Sequence, residues 1–130
     1  MPYILWMAKW SDPEATNEVA DFYRDLSEID ADHFDAAVER LAEGGPTTGK
    51  PTVAEIDLRD YSKDVKDLFG SHLKELRAGT IRVLFTFGPD RVPVLLVAGD
   101  KAGEWTRWYP KAIGEAARLY RAYLEETGLG

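Results

Sequence analysis

Hydrophobic and polar positions alternate most clearly between residues 72 and 101. From Thr80 to Phe87, Ile81, Val83, Phe85 and Phe87 share one face while Arg82, Leu84 and Thr86 share the other, the two-residue period of a half-buried strand. The run from His72 places Leu73, Glu75 and Arg77 on one face and Lys74 on the opposite one. Ala78-Gly79 then turns it back into Thr80 as a short hairpin requires. Gly88-Pro89-Asp90 marks a second turn. Val92 to Ala98 is apolar on both faces, which predicts a central strand covered on both sides and ended by Gly99. Three consecutive antiparallel strands follow from this pattern, with Arg82 projecting from the solvent face of the sheet.

The flanking segments carry a different period. Tyr3 to Trp10 alternates weakly and predicts a first strand. Ser11-Asp-Pro-Glu14 is a capping box that opens a helix with Ala15, Val19, Phe22 and Leu26 on one face. Asp30 or Asp32 is expected to cap a second helix, whose stripe is Phe34, Val38 and Leu41 and whose end is Gly44-Gly45. Pro46 to Thr52 reads as a loop and lacks the spacing of a phosphate-binding P-loop. Between 53 and 70, Leu58, Tyr61, Val65 and Leu68 predict a short helix near Ser62 to Phe69 in an exposed flap. Pro110 opens a last helix with Ile113, Ala116 or Ala117, Tyr120 and Leu124 on one side, closed by Gly128. The order β-α-α-β-β-β-α predicts an α+β domain: a small four-stranded antiparallel sheet, an N-terminal helical hairpin and a C-terminal helix. With the helices largely on one side, the other is expected to be open to a ligand.

Composition narrows the chemistry. At 130 residues the chain is expected to form one domain over 1–130. It has no cysteine, which excludes disulfides, thiolate nucleophiles and cysteine-ligated metals and suits a reducing cytoplasm. The apolar start is too brief for a signal peptide and no stretch reaches membrane-spanning length, so a cytoplasmic protein without a membrane partner is expected. Net charge is −7, against a nucleic-acid binder on average. Residues 72 to 111, however, hold 7 Lys/Arg against 4 Asp/Glu, a basic island on an acidic chain. His33 and His72 lack paired ligand spacing, so neither a metal nor another cofactor is expected. What remains is Lys74, Arg77, Arg82 and Lys101 at strand ends, followed by Trp105, Arg107, Trp108 and Tyr109. Guanidinium and ammonium groups suit a phosphate whose charge grows in a transition state, and aromatics beside them can stack on unpaired bases. The plainer alternative is that Arg77 and Arg82 pair with Glu75 and Asp100, while the tryptophans anchor the last helix.

Lys74-Glu-Leu-Arg-Ala-Gly-Thr-Ile-Arg-Val-Leu-Phe-Thr-Phe87, followed by Val94-Leu-Leu-Val-Ala-Gly-Asp-Lys-Ala-Gly-Glu-Trp-Thr-Arg-Trp-Tyr109, resembles the HigB-like branch of the RelE/ParE toxin superfamily. That resemblance implies a RelE-like fold and a bacterial type II toxin. It implies a metal-independent endoribonuclease that cuts translated mRNA at the ribosome and is neutralised by an antitoxin protein, expected to be of helix-turn-helix type. Position by position, Arg82 and Arg77 match the family's strand arginines near the scissile phosphate and Lys101 its later basic residue. Tyr109 is the nearest match to its tyrosine. Glu75 stands where RelE carries a lysine, which makes Glu75 or Tyr109 the proton-moving group. His72, Lys74, Trp105, Arg107 and Trp108 are then the expected RNA contacts. A gyrase-binding ParE-like protein without nuclease activity, or a degenerate toxin kept as a protein-binding module, are the other functions the resemblance allows.

Overall fold

The computed structural model describes residues 18–89, 91–101 and 107–128. The predicted strand Tyr3 to Trp10, the Ser11 capping box and Trp105 lie outside the described residues. Helix α1, Glu18–Arg24, is followed by α2, Glu28–Gly44. Ser27, not Asp30 or Asp32, caps α2: its hydroxyl accepts from the Asp30 backbone N–H at 3.2 Å, so the aspartates fall inside the helix beside its positive end. The predicted stripe of Phe34, Val38 and Leu41 is fully buried, and Gly45 ends the helix with φ +52.

The sheet has strands β1 Val53–Glu55, β2 Leu73–Ala78, β3 Ile81–Phe87 and β4 Pro93–Asp100, antiparallel and in that order. Among the described residues it is four-stranded and antiparallel, as expected. One of these strands comes from the 53–70 segment, where the sequence pattern predicts no strand: Val53 pairs with Leu76 and Ala54 with Glu75. The rest of that segment holds the predicted short helix, α3 Lys63–Phe69, capped by the Ser62 hydroxyl. The β2–β3 turn is Gly79-Thr80, with Gly79 at φ +60. Strand β4 runs on through Gly99, because Arg82 pairs with Gly99 and Ile81 with Asp100. Among the described strands β4 is an edge rather than central. It is apolar from Pro93 to Gly99 because helices cover both of its faces. Leu96 is an extra residue where the register with β3 shifts, and it packs on the α4 side.

Both faces of the sheet are covered, which corrects the expectation of one open side. Leu76, Ala78, Ile81, Val83, Phe85 and Leu95 pack with Val19, Phe34, Val38 and Leu41 of α1 and α2. On the other face Leu73, Leu84, Val94 and Leu96 pack with Phe69 of α3 and with Ile113, Ala116 and Tyr120 of α4, Trp108–Thr127. Helix α4 is amphipathic as its spacing predicts and ends at Gly128 in the left-handed conformation. No helix among the described residues is long and apolar enough to cross a membrane. Strand pairing sets Glu75, Arg77, Arg82 and Gly99 on the α4 face, at the end of the sheet next to the Gly79-Thr80 turn.

Candidate active site

Strand β2 sends Glu75 inward between Leu73 and Arg77, and the side chain is only 2% exposed. A carboxylate that deep must be paired, and it is. Arg77 Nε donates to Glu75 Oε1 at 3.1 Å, and Arg82 Nε stands 3.7 Å from the same oxygen. The Tyr109 hydroxyl, from the first turn of α4, donates to Oε2. Glu75 therefore has guanidinium groups on one oxygen and a phenol on the other.

The two arginines differ in what they have left to offer. Arg82 is 13% exposed, and its Nη1 donates to the Gly79 and Ile81 carbonyls at 2.8 and 2.9 Å. It faces the α4 side as alternation requires but is largely covered, so it does not project from a solvent face. Arg77 is 41% exposed and presents its outer edge to solvent. Of the plainer pairings, the one with Glu75 is present for both arginines.

Trp108 holds Tyr109 in place. The two rings meet edge to face with centroids 5.1 Å apart, and the indole lies across Gly99. A Cβ built on Gly99 falls 2.7 Å from Trp108 Cε2 and against Nε1, so only glycine admits the indole. Gly99→Ala is expected to destabilise the protein by about 1–3 kcal/mol through overpacking. Urea unfolding measures this, and at least half of the cost should vanish when Trp108 is also replaced by leucine.

The remaining candidates are spread out. Lys101 is exposed, with its backbone N–H on the Thr80 carbonyl at 2.8 Å, and its side chain does not join the Glu75 cluster. Arg107 is exposed at the N-terminal end of α4. Lys74 faces the opposite side of β2 and pairs with Glu55 at 3.3 Å. His72 is exposed at the far end of β2 from Arg77. The cluster is thus Glu75, Arg77, Arg82 and Tyr109.

Residues 21–121 match the family described as Phage derived protein Gp49-like (DUF891). The chain belongs to this family. Two curated proteins of Mycobacterium tuberculosis (strain ATCC 25618 / H37Rv) are similar to the Gp49-like chain. "Putative toxin HigB2" is 36% identical over 96 residues, covering 70% of this chain and 43% of that protein. "Putative toxin HigB3" is 44% identical over 79 residues, covering 59% of this chain and 61% of that protein. The resemblance to HigB-like proteins read from residues 74 to 109 is borne out, and the matched span of the Gp49-like chain contains the whole Glu75 cluster.

Proposed function

We propose that this chain is the toxin of a bacterial type II toxin–antitoxin pair and that it cuts translated mRNA at the ribosome. The observation that carries the reading is the buried Glu75 carboxylate, joined to a phenol on one oxygen and to two guanidiniums on the other. The names of the relatives supply the toxin class.

In this mechanism the RNA 2′-oxygen attacks its adjacent phosphorus. Its proton passes to the Tyr109 oxygen as the phenol's own proton passes to Glu75 Oε2. The bond to the 5′-oxygen breaks and that oxygen takes a proton from water, whose hydroxide removes the proton held by Glu75, leaving a 2′,3′-cyclic phosphate, a 5′-hydroxyl and the carboxylate restored. Arg77, the more exposed guanidinium, faces the phosphate as its charge grows. Arg82 is a positioning residue that orients Glu75 and adds positive potential. Lys101 and Arg107 contribute positive charge at the rim, and the 2′-hydroxyl is what distinguishes RNA from DNA here.

Controlled expression followed by mapping of mRNA 5′ ends, alongside a gyrase supercoiling assay, tests the function. Discrete cuts within translated messages with normal supercoiling are expected. If both arginines serve only to neutralise Glu75, the chain cuts nothing, and a gyrase inhibitor is the competing reading. Blocked supercoiling with intact mRNA would establish that reading instead.

A further inference from the structure

We infer that the groove between the 46–50 loop and strand β1 is a second phosphate site, taking the RNA backbone next to the scissile phosphate, with Lys50 as its outer contact. This inference rests on the nuclease reading and extends it to how the substrate strand is held. The groove encloses about 430 Å³, in the range of sites that hold a small ligand, and Thr48, Gly49, Lys50, Glu55, Lys74 and Arg77 are among the residues that line it. Lys50, Lys74 and Arg77 line it together with one carboxylate, Glu55, on a chain whose net charge is −7.

Arg77 belongs both to this groove and to the Glu75 cluster, so a strand whose reacting phosphate sits on Arg77 runs directly into the groove. Glu55 is taken up by Lys74 at 3.3 Å, while Lys50 makes no ion pair among the described residues. The loop is held in shape before any ligand arrives. Thr48 N–H donates to the Gly45 carbonyl at 3.1 Å, Val53 N–H to that of Gly49 at 3.0 Å, and the Thr47 hydroxyl to that of Gly44 at 2.7 Å. The Gly-Lys of this loop, which lacks P-loop spacing, thereby acquires a role through its place beside β1.

A larger hollow, of about 710 Å³ and bounded by Glu55, Asp57, Arg59 and Lys66, is a weaker site for an anion. Asp57 and Arg59 satisfy one another there at 2.8 Å. The Arg59 backbone N–H, and then its side chain, hold the Asp57 carboxyl below its usual range. The groove is also lined mainly by charged and polar groups, which suits a sugar-phosphate backbone better than a peptide that needs apolar anchors.

Binding of a short fluorescein-labelled single-stranded RNA with 2′-O-methyl riboses, followed by anisotropy across a salt series, tests the site in the full chain. Lys50→Gln is expected to weaken binding roughly fivefold, the upper end for an exposed charge pair. The slope of log affinity against log salt should also become shallower by about 0.7, one single-strand phosphate contact. Lys50→Arg should restore both. Unchanged affinity and slope in a folded Lys50→Gln protein would overturn the groove as an RNA site, and the nuclease reading would stand if the wild type still cuts mRNA. Poly-glutamate binding is measured in parallel: its loss in Lys50→Gln with RNA binding intact would assign the groove to an acidic protein partner and likewise overturn the RNA site. If the wild type neither binds nor cuts RNA, the nuclease reading falls and this inference falls with it.

Discussion

Tyr109→Phe is expected to lose mRNA cleavage by roughly 10²-fold or more, the scale of one positioned proton-transfer group. The substitution removes a single oxygen. The ring keeps its edge-to-face contact with Trp108, and Glu75 keeps Arg77 and Arg82. The path from the 2′-hydroxyl to Glu75 Oε2 is interrupted, however, because that oxygen receives its hydrogen bond from the phenol. Stability should fall by about 1–3 kcal/mol, since the lost bond leaves a buried charged acceptor short of a donor. Cleavage must therefore be compared at a temperature where both proteins are folded. A purely structural tyrosine would lose activity only in proportion to the unfolded fraction, and that result would remove Tyr109 from the chemistry. Glu75→Gln also removes the proton acceptor, but its single amide oxygen can face either the arginines or Tyr109 and not both, so it costs stability as well as activity.

Arg82→Ala should destabilise the fold by about 3 kcal/mol, in the range seen when one partner of a buried pair is removed. Its guanidinium is 13% exposed, faces a carboxylate 2% exposed, and ties down the carbonyls of Gly79 and Ile81 at the hairpin end. Alanine removes all three interactions and leaves Glu75 with Arg77, whose exposure weakens its compensation. Lysine keeps the charge but not the fork that reaches two carbonyls and a carboxylate together, so Arg82→Lys should fall between wild type and alanine. Replacing both Arg82 and Glu75 by leucine should recover much of the loss, because no buried charge is then stranded. Urea unfolding of the four proteins decides the matter. A change within about 0.5 kcal/mol for Arg82→Ala is what an ordinary surface residue gives, and it would show that the cluster does not hold this corner together.

Strong local periods were legible in the sequence. The alternation from Ile81 to Phe87 assigned each β3 side chain to its correct face, and Phe34, Val38 and Leu41 lie on the buried side of α2 as their spacing predicts. Strand β1 was not legible, because the three residues Val53–Glu55 are too few to show a period and owe their conformation to pairing with β2. The cap of α2 is Ser27, upstream of the expected Asp30 or Asp32, and composition alone does not rank such neighbours.

The candidate site was legible by residue type but not by role. Alternation put Glu75 and Arg77 on one face of their strand and Arg82 on the solvent face of the next, and only the β2–β3 register brings the three together. The burial of Arg82 could not be seen, because it depends on α4 crossing that face, which no local pattern encodes. A glutamate flanked by Leu73 and Leu76 in a strand was the available signal that a carboxylate would be buried and need partners. Tyr109 reaches Glu75 from a position fixed by Trp108 lying across Gly99, a contact between distant segments that no local pattern encodes.

The most direct test of the mechanism changes the substrate rather than the protein. On translating ribosomes, an mRNA carrying a single 2′-deoxyribose immediately 5′ of a mapped cut should resist cleavage at that bond while neighbouring sites are cut as before. The products of the unmodified message should end in a 2′,3′-cyclic phosphate and a 5′-hydroxyl. Cleavage at the 2′-deoxy position at the normal rate would contradict attack by the 2′-hydroxyl, and with it the proton relay through Tyr109 and Glu75.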